Sequence, residues 1–192
     1  MINEFLKSFI MLLVIMDPFG GIPIFLSLTK SFNLQRMRKS ANRAIMVAGI
    51  LLLIFLFLGG YILDFFSISL ESFKIGGGLI LFLVGLTYVF DFSFSNREHD
   101  YEKDITVPMA TPLIAGPGVL TAVIILTNFY GFWIPLLAAI INLLLFWVLM
   151  RYSNWLHKVI GDQGSEIMSR IMGLILVAMA VEFIVTGIQS FF

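Results

Sequence analysis

The sequence contains no cysteine. That removes a disulfide framework, a thiolate metal site and a dithiol redox couple. Charge is scarce as well: Asp, Glu, Lys and Arg make up 12% of the 192 residues, 12 basic side chains against 12 acidic ones. Soluble domains carry about 25%, so half the usual charge leaves too little polar surface to coat a water-soluble globule. A soluble enzyme is excluded on that ground. A net charge of zero with no long basic run argues against nucleic acid as a partner. His99 and His157, the only histidines, lie too far apart to suggest a metal motif. What the chain has instead is 59% apolar residues and a mean hydropathy of +1.00. That is the composition of an integral membrane protein that is nearly all membrane.

A helix needs about 20 mostly apolar residues to cross about 30 Å of hydrocarbon. Six stretches qualify: Phe5–Thr29, Ala44–Phe66, Phe73–Phe90, Thr106–Thr127, Phe132–Tyr152 and Ile167–Phe191. These continuous runs lack the alternation of an outer-membrane barrel. The first is too long for a signal-peptide core and no small-residue cleavage site follows it, so it is expected to stay as a span. No joint between spans is long enough for a nucleotide-binding domain. Orientation follows from the basic residues. An arrangement with both termini outside places Lys30, Arg36, Arg38, Lys39, Arg43, Arg97, Lys103, Arg151, Lys158 and Arg170 on the cytoplasmic side, leaving Lys7 and Lys74 outside.

Two signals recur at nearly one period. Gly78-Leu79-Ile80-Leu81 in span three returns as Gly173-Leu174-Ile175-Leu176 in span six, 95 residues later. Pro18 in span one and Pro117 in span four are 99 apart. The expected architecture is all-α, with six transmembrane helices forming two inverted-topology repeats. The first repeat is 1–90, an acidic cytoplasmic linker follows at 91–105, and the second repeat is 106–192. Each has three spans, so the second enters the membrane from the opposite side, a recurring plan of secondary transporters.

The two corresponding first spans, one and four, are expected to be broken. Asp17-Pro18-Phe19-Gly20-Gly21-Ile22-Pro23 crowds two prolines and two glycines into the middle of span one. Thr111-Pro112-Leu113-Ile114-Ala115-Gly116-Pro117-Gly118 does the same in span four. Proline lacks an N–H and clashes with the preceding turn. Unwound backbone at mid-membrane is tolerated only where protein buries it or water fills a cavity. Half-helices starting after Gly21 and Gly118 would offer free N–H groups and a positive dipole end to a carboxylate. Freed carbonyls and Asp17 would suit an ammonium group or a small cation. The candidate substrate or ion site is therefore Asp17, Pro18, Phe19, Gly20, Gly21, Pro23, Thr111, Pro112, Ala115, Gly116, Pro117, Gly118 and Thr121. Asp17 is open to four roles: proton acceptor, sodium ligand, ammonium anchor, or N-cap of the half-helix behind it. Glu182, read as a second buried acid, and Asn142, read chiefly as a helix bridge, are secondary candidates. Gly76-Gly77-Gly78 reads as a face for close helix approach. Trp133, Trp147 and Trp155 fall toward span ends, as an aromatic belt would.

At these motifs the chain resembles the MarC family, which includes SnatA-type neutral amino acid transporters. Met16-Asp17-Pro18-Phe19-Gly20-Gly21-Ile22-Pro23-Ile24-Phe25-Leu26 is similar to the family's first-helix motif, and Pro112–Gly118 to its fourth-helix motif. Ser169-Arg170-Ile171-Met172-Gly173 is similar to its sixth-helix entry. The resemblance covers essentially the whole chain. It implies a six-helix inner-membrane protein, distantly related to LysE-type exporters, that moves small neutral amino acids such as glycine or alanine. One departure is Gly21, where many members carry Asn.

The functional expectation is a secondary transporter or exporter of small neutral amino acids, coupled to H⁺ or Na⁺, without cofactor, metal or catalytic residues. Its partners would be that substrate, the coupling ion and the lipid bilayer; homo-oligomerisation is allowed but not fixed by the sequence. The competing class is a non-transporting accessory or structural membrane protein whose breaks only pack, which predicts both breaks tightly filled. Export of another small metabolite is a further alternative. An intramembrane hydrolase lacks a His–nucleophile pair or a second carboxylate near Asp17.

Overall fold

The computed structural model describes residues 2–29, 31–90 and 114–190. Seven α-helices occupy them: α1 (Ile2–Met16), α2 (Pro18–Leu28), α3 (Leu34–Phe65), α4 (Leu70–Phe90), α5 (Pro117–Tyr130), α6 (Trp133–Arg151) and α7 (Ser153–Gln189). Five stretches are long and apolar enough to cross a bilayer: Ile2–Ile22, Leu34–Phe65, Leu70–Phe90, Trp133–Arg151 and Glu166–Gln189. The apolar α5 has 14 residues, short of a crossing by itself. The linker 91–105, the start of the expected fourth span, and Thr111 and Pro112 lie outside the described residues, as does the Pro23 side chain.

Two helices run further than their apolar cores. α3 begins at Leu34, inside the basic joint, because the Asn33 side chain accepts the Arg36 N–H at 2.8 Å and caps the first turn. α7 begins at Ser153, and its one non-helical residue is Gly161, at φ 72° and ψ 175°. A side chain resists that backbone, glycine does not. The polar joints 34–43 and 153–166 are therefore helical, the second with a kink at Gly161.

The chain is inside-out relative to a soluble globule. Large apolar side chains such as Phe57, Tyr61, Phe65, Leu83, Leu144 and Leu174 face outward, as lipid contact requires. The buried polar set includes Ser8, Asp17, Lys74, Thr121 and Asn142. α3 turns small and apolar residues inward at helical spacing, Ala41, Ala44, Ala48, Leu52, Leu56 and Gly59. Lys74 is buried, with its ammonium 4.7 Å from the centre of the Phe129 ring. The ring's negative face gives that cation an attraction that lipid could not.

α4 and α7 form the most extensive helix pair. They run antiparallel along glycines. A Cβ at Gly78 would stand 2.9 Å from the Ala180 carbonyl oxygen, and one at Gly173 the same distance from the Gly85 carbonyl. Gly77 faces Thr121 of α5. The Gly76–Gly78 run is thus a close-approach face, with Gly76 itself turned to open space. The remaining contacts include α1 with α6, α3 with α5, α2 with α7, α4 with α5, α3 with α6 and α1 with α5.

Candidate functional site

Asp17 sits alone between α1 and α2, at φ 38°. Few side chains adopt that left-handed region, and Asp is among those that tolerate it. The helical ladder persists across it, through Asp17 N–H to Leu13 C=O (3.1 Å) and Gly21 N–H to Asp17 C=O (3.0 Å). Pro18 has no N–H to give. Gly20 donates its own to Asp17 Oδ1 at 3.1 Å. α2 therefore starts at Pro18, ahead of the glycines, and Asp17 fills the helix end that had been assigned to a substrate carboxylate. One oxygen of the carboxylate caps. The other, Oδ2, is fully buried and has no hydrogen-bond partner.

What surrounds that oxygen comes from elsewhere in the chain. A Cβ at Gly20 would overlap Asp17 Oδ2 and lie 2.7 Å from Ser169 Oγ of α7. The two oxygens thus converge on the notch left by the missing side chain. Tyr88 of α4 lies within electrostatic reach of Asp17, its Cβ packed on Gly173. Tyr88 carries no local sequence signal of a site, and Ser169 stands in the sequence only within the motif similar to the family's sixth-helix entry. Only the packing of α4 and α7 brings them to the first break.

The start of α5 adjoins the Asp17 segment. Gly116, at φ −68° and ψ 169°, is the N-cap of α5, and Pro117 opens the helix. A Cβ at Gly118 would lie 3.5 Å from Ile15 Cγ2 and overlap Leu81. The first turn of α5 therefore rests on the last turn of α1, two residues before Asp17. The described residues of both segments are closely packed: Ile22, Ile114, Ala115 and Gly116 are buried, as are Pro18 and Gly21. Phe19 is half-buried and Pro117 exposed.

Two candidates change meaning and a third, Asn142, keeps the one expected. Thr121 donates to the Pro117 carbonyl at 2.9 Å and packs its methyl on Gly77, so it faces α4 and not a cavity. Glu182, expected to be buried, is exposed on α7. Ala180 marks the face of α7 that meets α4, and two residues further is about 200° around the helix. Asn142 is a bridge. Its Nδ2 donates to Phe9 C=O of α1 at 3.1 Å and to Ala138 C=O at 2.9 Å. Phe9 precedes Asp17 by eight residues, about 12 Å of helix, which puts Asn142 outside the site. Interhelical bonds of this kind in membranes contribute about 0.6 kcal/mol and rarely above about 1.7. Asn142→Ala should therefore lower thermal stability in detergent by about 1 kcal/mol, and an unchanged melting curve would contradict the bridge. Among the described residues no group of three His, Asp or Glu side chains could hold a metal ion.

The sequence matches the MarC family of integral membrane proteins over residues 2–192. The chain belongs to the MarC family. Its relatives match end to end. One is the UPF0056 inner membrane protein YhgN of Escherichia coli (strain K12), 36% identical over 97% of either chain. A UPF0056 membrane protein of Buchnera aphidicola is 34% identical over 99% of this chain and 98% of its own. The E. coli protein YhcE is 34% identical over 98% and 93%. No solved structure matches. This MarC protein is accordingly an integral membrane protein, and the relatives' printed names stop at that level.

Proposed function

We propose that this MarC protein is a secondary transporter or exporter of small neutral amino acids. It would work by alternating access around Asp17, between the α1–α2 break and the start of α5. The observation that carries the reading is the buried, unpartnered Oδ2 of Asp17, facing the Gly20 notch beside Ser169. A carboxylate at that depth costs about 2.5–3.5 kcal/mol, and such residues mark ion, proton or substrate paths. The ammonium group of a substrate, a proton or Na⁺ fits there. The substrate carboxylate fits the free N–H groups at the start of α5, because Asp17 occupies the start of α2. The reading is of a carrier and not an enzyme.

Two inverted three-span repeats follow as part of the same proposal. Exchanging α1 and α2 with α5, α3 with α6, and α4 with α7 turns the more extensive helix contacts into one another. The α1–α6 contact becomes α3–α5, α2–α7 becomes α4–α5, and α4–α7, α3–α6 and α1–α5 map onto themselves. The 95-residue offset taking Gly78 to Gly173 also takes Gly85 to Ala180, so the Gly78–Ala180 approach becomes Gly173–Gly85, both 2.9 Å. Arg38 and Arg151 line one cavity, which supports a single basic, cytoplasmic end and termini outside.

Counterflow of labelled glycine, alanine and serine into proteoliposomes tests the function. Exchange of at least one of them above empty vesicles is expected, with accumulation under an H⁺ or Na⁺ gradient. Absence of any flux would favour the accessory reading, which draws on one observation: the described residues of both segments are closely packed. A carrier in an occluded conformation is closed in the same way.

A further inference from the structure

We propose that the basic end of the bundle holds a specific site for an anionic phospholipid, distinct from the Asp17 site. A cavity of about 180 Å³ opens between the start of α3, the end of α6 and the start of α7. Arg38, Arg151 and Asn154 supply its polar wall, Tyr152 and Trp155 its aromatic one. Neither guanidinium has a carboxylate partner among the described residues. Arg151 is instead held over the Trp147 ring, 5.3 Å from its centre. Asn154 is fixed across the helices by a 3.6 Å contact from Nδ2 to Met37 Sδ. Two guanidiniums without a carboxylate partner among the described residues, on one concave wall, suit a phosphate, which accepts paired N–H donors.

The surroundings decide what carries that phosphate. Two apolar grooves flank the cavity. One, about 430 Å³, is lined by Val148, Leu149 and Leu156 and shares Tyr152 and Trp155 with the cavity. The other, about 520 Å³, lies between α3 and α6, with Met46, Ile140, Leu144 and Trp147 on its walls. It starts one helical turn deeper than the cavity, since Asn42 follows Arg38 by four residues and Trp147 precedes Arg151 by four. Asn42 Oδ1 accepts from Trp147 Nε1 at 2.7 Å and ties the groove's rim. A charged pocket at the interface with two apolar channels running inward matches a phosphodiester headgroup and two acyl chains. A free phosphate would leave both channels unused.

The full-length protein, purified in detergent and stripped of lipid, provides the test by native mass spectrometry. It is titrated with phosphatidylglycerol, phosphatidylcholine of the same acyl chains, and glycerol 3-phosphate. Phosphatidylglycerol should bind at least tenfold more tightly than phosphatidylcholine, and glycerol 3-phosphate should not displace it. A basic residue near an anionic surface contributes about 1 kcal/mol, or about fivefold in affinity. Arg38→Gln, on an exposed helix surface, should therefore weaken binding about fivefold, and Arg38→Gln with Arg151→Gln about 25-fold. Lys39→Gln, next in sequence but off the cavity, should leave binding unchanged. Equal binding of the two lipids would overturn the proposal, and so would equal effects of Arg38→Gln and Lys39→Gln. Displacement of the lipid by glycerol 3-phosphate would make the cavity a soluble-phosphate pocket and overturn it as well. None of these outcomes depends on whether the protein transports amino acids.

Discussion

Asp17→Asn should cost this protein about 10- to 100-fold in amino acid flux while leaving it folded and as stable as before, or more so. The substitution divides the two jobs of the carboxylate. Asn keeps an oxygen that accepts the Gly20 N–H, now accepted by Oδ1 at 3.1 Å, so the cap of α2 survives. The other position becomes an amide N–H₂, and the buried, unpartnered Oδ2 disappears with its charge. Hydrogen bonds to charged groups contribute about 1.5–3 kcal/mol, which sets the size of the expected loss. An uncompensated carboxylate gone from the membrane interior sets the sign of the stability change. A residue that lowers stability and raises activity is held for function.

Three flux measurements on Asp17→Asn separate its roles. Loss of both counterflow and gradient-driven accumulation identifies an ammonium anchor. Loss of accumulation alone identifies the coupling site for H⁺ or Na⁺. Retention of both makes Asp17 a helix cap and removes the observation on which the transport reading rests.

The positive φ of Asp17 falls where Asp before Pro, followed by two glycines, disturbs regular helix geometry, although the hydrogen-bond ladder runs on across it. α2 starts four residues ahead of the Ile22 expected from the sequence, because Asp17 Oδ1 accepts the Gly20 N–H and lets the helix resume at Pro18. Ser169 was not legible as a site residue. It lies 149 residues from Gly20, in a motif that marks the entry of the last span without pointing at Asp17, and only the antiparallel seam of α4 and α7 carries it there. The exposure of Glu182, by contrast, was readable in principle. Gly173, Ala180 and Gly187 recur every seven residues, which fixes the packed face of α7, and Glu182 falls off it. Charge in an apolar run was weighed there without asking which side of the helix bears it. The basic joint was read as loop for a related reason. Lys and Arg are good helix formers, and Asn33 starts α3 before the apolar stretch begins.

Gly173→Ala and Gly85→Ala should be the most destabilising single-methyl additions in the chain, by about 2–3 kcal/mol each. The seam of α4 and α7 is close enough that backbone meets backbone. A Cβ at Gly85 would stand 3.0 Å from both the Gly173 carbonyl oxygen and the Val177 nitrogen; one at Gly173 would meet Tyr88 Cβ at 2.6 Å and the Gly85 carbonyl at 2.9 Å. A flexible side chain could swing aside, but a helix backbone cannot, so the helices must separate and forfeit the contacts beside the insertion. Gly60→Ala and Gly76→Ala are the controls, since nothing lies within 4 Å of either position. Both should be neutral or slightly stabilising. Equilibrium unfolding in mixed micelles reads the difference, and a Gly173→Ala protein as stable as Gly76→Ala would refute the close seam. Because the two insertions push the same helices apart, the double variant should lose less than the two single losses added together. The seam also reaches the site. Ser169 lies one turn before Gly173, and Tyr88 packs on Gly173 itself, so separating the helices there withdraws both side chains from Asp17. Flux should accordingly fall further in Gly173→Ala than in an equally destabilised Asn142→Ala with a conservative second-site change. If flux instead follows stability alone, Ser169 and Tyr88 belong to the scaffold and Asp17 acts without them.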